Sequence, residues 1–349
     1  MKVTCFVSPR VNLFFAGRVL AGLYEQPNIN VTIKLARWMK YENSLGIEVN
    51  GRRLGIELSD HADFWDRDLL SWAEVYAKRS LNLDLPQPHG VRVIPFGLHC
   101  SGRSKRSMTE LFAALAYALP RSRTHSLNDY YKYVVTPHWQ DFEYRPDAPV
   151  DETILYQTRL WEANEAPGDE NVNDERVSLL KLLKAEFNHR CIGGLVPTPY
   201  ALKHYPDMVT PQATRQPQYI KWAKSAAVGI YSRGLFGSYA FKMAEFLASS
   251  KCIVSEPLQN QLNAPLNHIS IFNTNEQCVA ACERLLSNGR LRREHRHYSW
   301  WYYNDHVQPK AVVSRLLNSL HTDEGEIGTT QRRNKTNVVT SDVYLPVSG

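Results

Sequence analysis

The sequence predicts two α/β domains, each built on a doubly wound parallel sheet. Short apolar segments typical of buried strands alternate with amphipathic segments of helical length along most of the chain. The alternation pauses at 144–151, where two prolines and three charged residues form a candidate linker, and then restarts with ETILYQT. A length of 349 residues also favours two domains over one.

The first half is predicted to alternate between strands and helices, with one hairpin. Asn50 and Gly51 separate two runs of alternating polarity, which is typical of a type I′ turn. A short helix is expected near 64–71, with Asp63 in an N-terminal capping cluster. The other predicted elements, in order, are a strand VTCFVS, a helix 12–25, a strand 30–36, a strand or short helix 73–81, a strand 91–98 and a helix 108–119.

The second half repeats the pattern and ends in a polar tail. Residues 321–349 are aromatic-poor and unpatterned, so we expect a disordered tail. The elements predicted before it are a strand 152–158, a helix 175–187, a strand CIGGLV, a helix and strand in WAKSAAVGIYS, a helix and strand in 238–255, one or two helices in 276–304 and a last helix near 307–320.

Composition narrows the class of protein. The chain has no run of eighteen uncharged apolar residues, and MKVTCFVSPRV reads as a first strand, so we expect a cytoplasmic protein. Six scattered cysteines without a C-x-x-C pair are interpreted as reduced thiols. The net charge of +6 suits an anionic small molecule or peripheral contact with an acidic membrane face, and no nucleic-acid-binding motif is present.

Residues 228–257 carry the most information. They predict a buried strand, a glycine turn, an amphipathic helix and a second buried strand ending in Glu256 and a proline. An open helix start presents backbone N–H groups to an anion, and Lys242 and Glu245 share one helix face. The alternatives are that this pair points outward and that the turn is a plain connection capped by Ser238.

The order of glycine turn, K-x-x-E-x-x-A and a strand of the I-V-S-E-P type resembles the donor-binding segment of GT-B glycosyltransferases, in their group-1 and CgeB-like branch. The resemblance implies two Rossmann-like domains facing a central cleft. It also implies that Gly234, Gly237 and Ser238 lie near the donor phosphates and that Glu245 contacts a sugar or ribose hydroxyl. Many members carry a second glutamate where this chain has Gly237.

Two arginines join this donor site. Arg159 follows the first strand of the second half, where the resembling enzymes commonly place an arginine that faces the diphosphate. A guanidinium matches phosphate oxygens with two parallel hydrogen bonds. Arg176 opens the next helix and is interpreted equally as a second phosphate contact or as a solvated charge.

The first half supplies candidate acceptor-side residues. Asp60 and His61 follow a strand end, and a carboxylate beside a histidine there is a candidate base. The run D-x-x-D, V-Y-x-K-R, I-P-F-G resembles the N-terminal domains of the same transferases, which implies that Asp60, Lys78 and Gly97 lie in the cleft.

The absence of several catalytic motifs argues against other classes of enzyme. No P-loop, dinucleotide-binding glycine motif or G-x-S-x-G elbow occurs. The histidines of HRH (295–297) lack nearby metal-ligand partners, so no metal site is expected, and the aromatic run 298–304 is expected to pack between domains, with sugar stacking as the alternative.

The predicted function is metal-independent transfer of a sugar from a nucleotide-diphosphate sugar to a hydroxyl of a glycan or lipid-linked saccharide, with the K-x-x-E pattern favouring retention and with no cofactor. Asp60, Arg159 and Lys242 are the predicted catalytic residues. The alternatives are a non-catalytic carbohydrate-binding protein of this fold and a sugar-nucleotide epimerase. The predicted division is an acceptor domain 1–148, a donor domain 149–306, a helix 307–320 that crosses back to the first domain, and the tail.

Overall fold

The computed structural model describes residues 1–103, 135–162, 164–165, 169, 171–210 and 216–321. The helix predicted over 108–119 and the tail beyond residue 321 lie outside these residues. Two sheets with helices packed on them make up the described part of the chain. None of its helices has the length and apolar character that crossing a bilayer requires.

The strands and helices are labelled here in chain order. The strands are β1 Lys2–Val7, β2 Asn30–Leu35, β3 Ser44–Val49, β4 Arg52–Glu57, β5 Val75–Lys78, β6 Arg92–Pro95, β7 Asp151–Thr158, β8 Cys191–Leu195, β9 Ala226–Tyr231, β10 Cys252–Ser255 and β11 Ser270–Ile271. The α-helices are α1 Leu13–Tyr24, α2 Arg67–Trp72, α3 Val172–Phe187, α4 Pro199–His204, α5 Gln216–Ser225, α6 Lys242–Ala248, α7 Asn275–Ser287, α8 Gly289–Tyr302 and α9 Pro309–Asn318.

The first sheet has the order β2-β1-β3-β4-β5-β6. Strand β3 runs antiparallel to both of its neighbours, and the other pairs are parallel. Asn50 and Gly51 have φ angles of 52° and 81°, the left-handed conformations of a type I′ turn, so the hairpin prediction is confirmed. This sheet is therefore mixed and not wholly parallel, because a two-residue turn reverses the chain direction.

The second sheet is wholly parallel, in the order β11-β10-β9-β7-β8. The chain passes from β7 to β8 on one side and then returns past β7 to form β9 on the other side. The strand order therefore reverses between β7 and β9, and open α/β sheets bind ligands in the crevice beyond the carboxyl ends of such strands. The predicted fold class, two Rossmann-like α/β domains, is confirmed.

The last helix lies against the first domain. Val313 and Leu316 of α9 are fully buried in the same apolar core as Leu20 of α1 and Ile47 of β3. Gln26, just beyond α1, donates hydrogen bonds to the Lys310 carbonyl oxygen at 2.6 Å and to the Ser314 hydroxyl at 3.0 Å. Helix α9 thus connects the end of the second domain to the first.

Helix α2 begins later than the sequence predicts. Asp66 is its N-cap, and its carboxylate accepts a hydrogen bond from the Leu69 N–H at 3.2 Å. The expectation that Asp63 caps this helix is wrong, because the helix starts at Arg67 and Asp63 lies too far upstream.

Lys78 is a core residue and not a cleft residue. Its ammonium lies 2.8 Å from a carboxylate oxygen of Glu57, and both side chains are fully buried. It also donates to the carbonyl oxygens of His61 and Phe64 at 3.2 and 2.5 Å. Burial lowers the pKa of Lys78 and raises that of Glu57, and the attraction between the two groups opposes both shifts. The pair fastens the 61–64 loop to the sheet.

Replacing Lys78 with methionine should destabilise the fold strongly, because it leaves the Glu57 carboxylate buried without its cation. We expect a loss of about 3–5 kcal/mol in the free energy of unfolding, measured by urea denaturation. Lys40→Met is the matched control, since the Lys40–Asp68 pair spans 3.9 Å and the Lys40 side chain is 83% exposed. Equal losses in the two variants would contradict this account.

Candidate anion-binding crevice

A cavity of about 210 Å³ lies at the carboxyl ends of β7 and β9 and is closed on its other side by the first domain. The second domain contributes residues that follow these two strands and residues that lead into α6. The first domain contributes Phe15, Asp60 and Arg79. The lining from the second domain is Thr158, Arg159, Trp161, Arg176, Ser232, Gly234, Leu235, Ser238, Tyr239, Ala240, Phe241 and Lys242.

Arg176 holds the two strand ends together. One guanidinium nitrogen donates to the Arg159 carbonyl oxygen at 2.6 Å, and another donates to the Arg233 carbonyl oxygen at 2.7 Å. The side chain comes from the N-terminal part of α3 and is 5% exposed, and burial lowers its pKa from the usual value. Arg176 is therefore neither a solvated charge nor free to wrap a ligand. It fixes the backbone around the crevice and adds a buried positive charge.

Arg159 lies at the mouth of the crevice. Its side chain is 45% exposed, and it pairs with Glu165 at 2.8 Å. The guanidinium carbon lies 4.1 Å from the centre of the Trp161 ring, which supports the flat face of the group. Because one nitrogen carries the contact with Glu165, the remaining N–H groups can meet an anion.

The side chains of Lys242 and Glu245 have different surroundings, although the two residues lie only three apart on one helix. Lys242 lines the crevice, whereas Glu245 is 7% exposed and accepts a hydrogen bond from the Tyr219 hydroxyl at 2.9 Å. Burial raises the pKa of Glu245 and lowers that of Lys242, and in each case the attraction between the two groups opposes the shift. Glu245 therefore packs against α5, behind the crevice, and the structure does not place it for a sugar contact from the crevice.

The glycine turn differs from the open helix start that the sequence predicts. Helix α6 begins at Lys242, and the turn forms a separate short 3-10 segment, Leu235–Gly237. The N–H groups of Gly234 and Ser238 donate within the turn, to the carbonyl oxygens of Ser238 and Leu235 at 2.8 and 3.0 Å. The Phe236 N–H donates to the Asp169 carboxylate at 3.3 Å. The turn is thus largely satisfied by the protein itself.

Gly237 has a structural reason to be glycine. Its φ is 69°, and a Cβ atom there would lie 1.9 Å from the side-chain oxygen of Gln259. Asn260 donates to the Gly237 carbonyl oxygen at 2.9 Å. Gly237 fixes the turn against the 256–263 loop and is absent from the lining of the crevice.

Asp60 and Arg79 form the wall on the first domain. Asp60 is 40% exposed at its side chain and lies 2.5 Å from the buried Arg79 guanidinium. Arg79 also donates to the Tyr239 carbonyl oxygen in the second domain. The guanidinium carbon lies 5.1 Å from the centre of the Phe241 ring. Arg79 thus links Asp60 to the opposite wall.

Two other predicted cleft residues lie at the contact between the domains. The His61 ring stacks on the Phe236 ring with centroids 4.2 Å apart, so it touches the glycine turn beside the crevice. Gly97 has a φ of 90°, and a Cβ atom there would lie 2.3 Å from the side-chain oxygen of Asn263. Gly97 allows close approach of the domains and is not part of the lining.

The crevice has the charge of an anion site. Among the described residues, four basic ones, Arg79, Arg159, Arg176 and Lys242, and one acidic one, Asp60, line it. Low-dielectric walls strengthen the field of such a group of charges. In the described part of the chain, no group of three or more histidine, cysteine, aspartate or glutamate side chains could hold a metal ion.

Sequence reasoning missed Arg79, Trp161 and Phe241. Arg79 follows β5 directly, at the strand end from which ligands are contacted in α/β sheets, so its position was a usable signal. The two aromatic residues gave no comparable signal, because their role depends on contacts between distant segments. Phe241 meets Phe15 at a centroid distance of 5.2 Å across the domain boundary.

No protein-family model and no curated protein matches the chain. Among solved structures, it is similar to an alpha-glucosyltransferase in complex with UDP-glucose and abasic DNA, with 12% identity, a TM-score of 0.43 and coverage of 92% of this chain and 100% of that one. It is also similar to WaaG, a glycosyltransferase of lipopolysaccharide biosynthesis, with 9% identity, a TM-score of 0.38 and coverage of 90% and 98%.

The C-terminal domain of a group 1 glycosyl transferase, LpcC from Francisella tularensis, matches half of the chain. The identity is 9%, the TM-score is 0.33, and the match covers 50% of this chain and 96% of that one. The assignment of the chain to a two-domain α/β fold rests on its own strand order and crevice.

Proposed function

We propose that the protein is a glycosyltransferase that takes a sugar from a nucleotide-diphosphate sugar. The observation that carries the proposal is the crevice at the reversal of the strand order, whose described lining has four basic residues and one acidic residue and which is closed by a second domain. A diphosphate is the part of such a donor that needs several cations at once. A sugar hydroxyl acceptor would reach the same crevice from the side of the first domain.

Arg159 and Lys242 are the proposed contacts of the diphosphate. Both line the crevice, and each retains N–H donors that can point to phosphate oxygens. As the bond between the anomeric carbon and the diphosphate oxygen breaks, its electron pair stays on the diphosphate. These two cations and the charge of Arg176 would stabilise that growing negative charge without a metal ion.

Asp60 is the proposed base for the acceptor. One of its carboxylate oxygens accepts the hydrogen bond from Arg79, and the half-exposed carboxylate faces the crevice. We propose retention of configuration at the sugar, for which the acceptor oxygen would bond to the anomeric carbon on the same face that the diphosphate leaves, while its proton passes to Asp60. His61, stacked beside the glycine turn, would border the acceptor.

Contacts across the boundary support a crevice that excludes water. Phe15 of the first domain packs on Phe241, and Arg79 donates to the Tyr239 carbonyl oxygen. Excluding water would protect the donor from hydrolysis and strengthen the electrostatic interactions inside. The acceptor class we propose is a glycan or lipid-linked saccharide.

Removing either proposed phosphate contact should weaken donor binding. In a thermal-shift titration with UDP-, GDP- and ADP-sugars, and with CMP-sugars as the single-phosphate contrast, one diphosphate donor should raise the melting temperature. Arg159→Ala and Lys242→Ala should each weaken that donor by at least about tenfold. Lys221→Ala is the control, because Lys221 is exposed on α5 and does not line the crevice.

The same titration, followed by assays of nucleotide release and of isomerisation of the donor sugar, distinguishes between the possible functions. Release of nucleoside diphosphate with an acceptor supports transfer, whereas isomerised donor without release supports an epimerase. Binding without either reaction supports a carbohydrate-binding protein. Absence of stabilisation by every donor at millimolar concentration would contradict the proposal.

Donor binding should weaken as the pH rises towards the alkaline range. Burial lowers the pKa of Lys242 below its usual value of 10.5, so its positive charge is lost earlier than on an exposed lysine. Donor affinity should therefore be highest at pH values below this pKa and should fall as the pH rises past it. Calorimetric titration from pH 7 to 10 measures this change. Lys242→Arg should flatten the decline, because a guanidinium stays charged. An unchanged slope in that variant would refute the assignment.

A further inference from the structure

A second groove, of about 960 Å³, runs along the outer side of α8 in the second domain. Its lining recurs every three or four residues and continues past the helix end, so it forms one face of the helix. Six of its lining residues are Arg293, Glu294, His297, Tyr298, Trp301 and Asn304. None of them lines the crevice.

Two aromatic side chains present their rings to solvent in this groove. Tyr298 is 57% exposed and Trp301 is 54% exposed, which is high for large aromatic side chains. The Tyr298 ring stacks on His268 at a centroid distance of 6.0 Å, and the Trp301 ring meets the His306 ring edge-on at 5.6 Å. Each ring is thus supported by a neighbour, so binding a ligand would cost little further side-chain entropy.

The charges of the groove nearly cancel. Arg290 pairs with Glu294 at 3.0 Å, and His297 lies 2.9 Å from the Asp147 carboxylate. Arg293 is exposed and has no ion-pair partner among the described residues. An anionic bilayer or a nucleic acid binds through a clear excess of positive charge, which this face lacks. A neutral ligand fits it better.

Sugar rings have the matching chemistry. A pyranose presents a face of C–H groups that can lie on an aromatic ring, and its edge carries hydroxyls that both donate and accept hydrogen bonds. Arg293 and Asn304 supply polar groups beside the two exposed rings. From Arg290 to Trp301 the helix rises about 16 Å, long enough for more than one ring to lie along it.

We infer that this groove binds a neutral oligosaccharide, as a holding site for the acceptor chain away from the crevice. The assignment of the bound chain as acceptor rests on the proposed glycosyltransferase function. The binding itself depends on the exposed rings and on the balanced charge of the groove. The site would keep a growing glycan attached to the protein between transfers.

The test is affinity electrophoresis of the full chain through native gels that contain dextran, mannan or galactomannan. At least one polysaccharide should retard the protein, and Tyr298→Ala/Trp301→Ala should weaken the interaction by at least about tenfold. Trp38→Ala is the matched control, because Trp38 is 36% exposed on the first domain and should leave the retardation unchanged. Trp301→Phe, which keeps a ring, should retain part of it.

Several results would overturn the inference. One is migration that none of the three polysaccharides affects, and another is a loss of retardation in Trp38→Ala equal to that in the double variant. A third is sedimentation of the protein with phosphatidylglycerol–phosphatidylcholine vesicles in a manner that depends on Trp301. Nucleotide release is measured separately on the same proteins. If release fails while retardation and its loss in the double variant persist, the proposed enzyme function falls and the sugar-binding groove stands.

Discussion

The hydrogen bonds of Arg176 to two backbone carbonyl oxygens are the contacts on which the crevice depends. They join the chain after β7 to the chain after β9, at the point where the sheet reverses its strand order. A guanidinium suits this position because its planar fork can serve two acceptors and its charge is retained when buried. The fold leaves a gap between these strand ends, and Arg176 gives that gap both a fixed shape and a positive charge.

The first domain completes the site through a second arginine. Arg79 holds Asp60 on its own side and reaches the Tyr239 carbonyl oxygen on the other. Asp60, which lines the crevice, is therefore fixed relative to the cations of the second domain. Helix α9 also attaches the second domain to the first, because the helix follows the second domain in the chain and is buried in the core of the first.

Local patterns predicted most of the fold. The hairpin at Asn50 and Gly51, the strand before Arg159 and the alternation of the second half all follow from apolar periodicity and turn chemistry. The main error in the predicted fold was that the first sheet would be wholly parallel. The same hairpin that the sequence predicted makes β3 antiparallel to its neighbours.

The site was only partly predictable, because side-chain direction depends on distant contacts. Arg159 and Lys242 reach the crevice as expected, whereas Glu245, three residues after Lys242, turns to Tyr219 on α5. The resemblance of the run that contains Lys78 placed this residue in the cleft, but its partner is Glu57 on the adjacent strand. Pairings of this kind are set by the register of the sheet, which no local motif records.

The central claim is that the crevice between the domains is a diphosphate site. A crystal structure with the nucleoside diphosphate that stabilises the protein most would test it directly. The account predicts phosphate oxygens about 2.7–3.2 Å from the Arg159 guanidinium and the Lys242 ammonium. A nucleotide bound outside this crevice, with Arg159 and Lys242 making no contact with its phosphates, would contradict it.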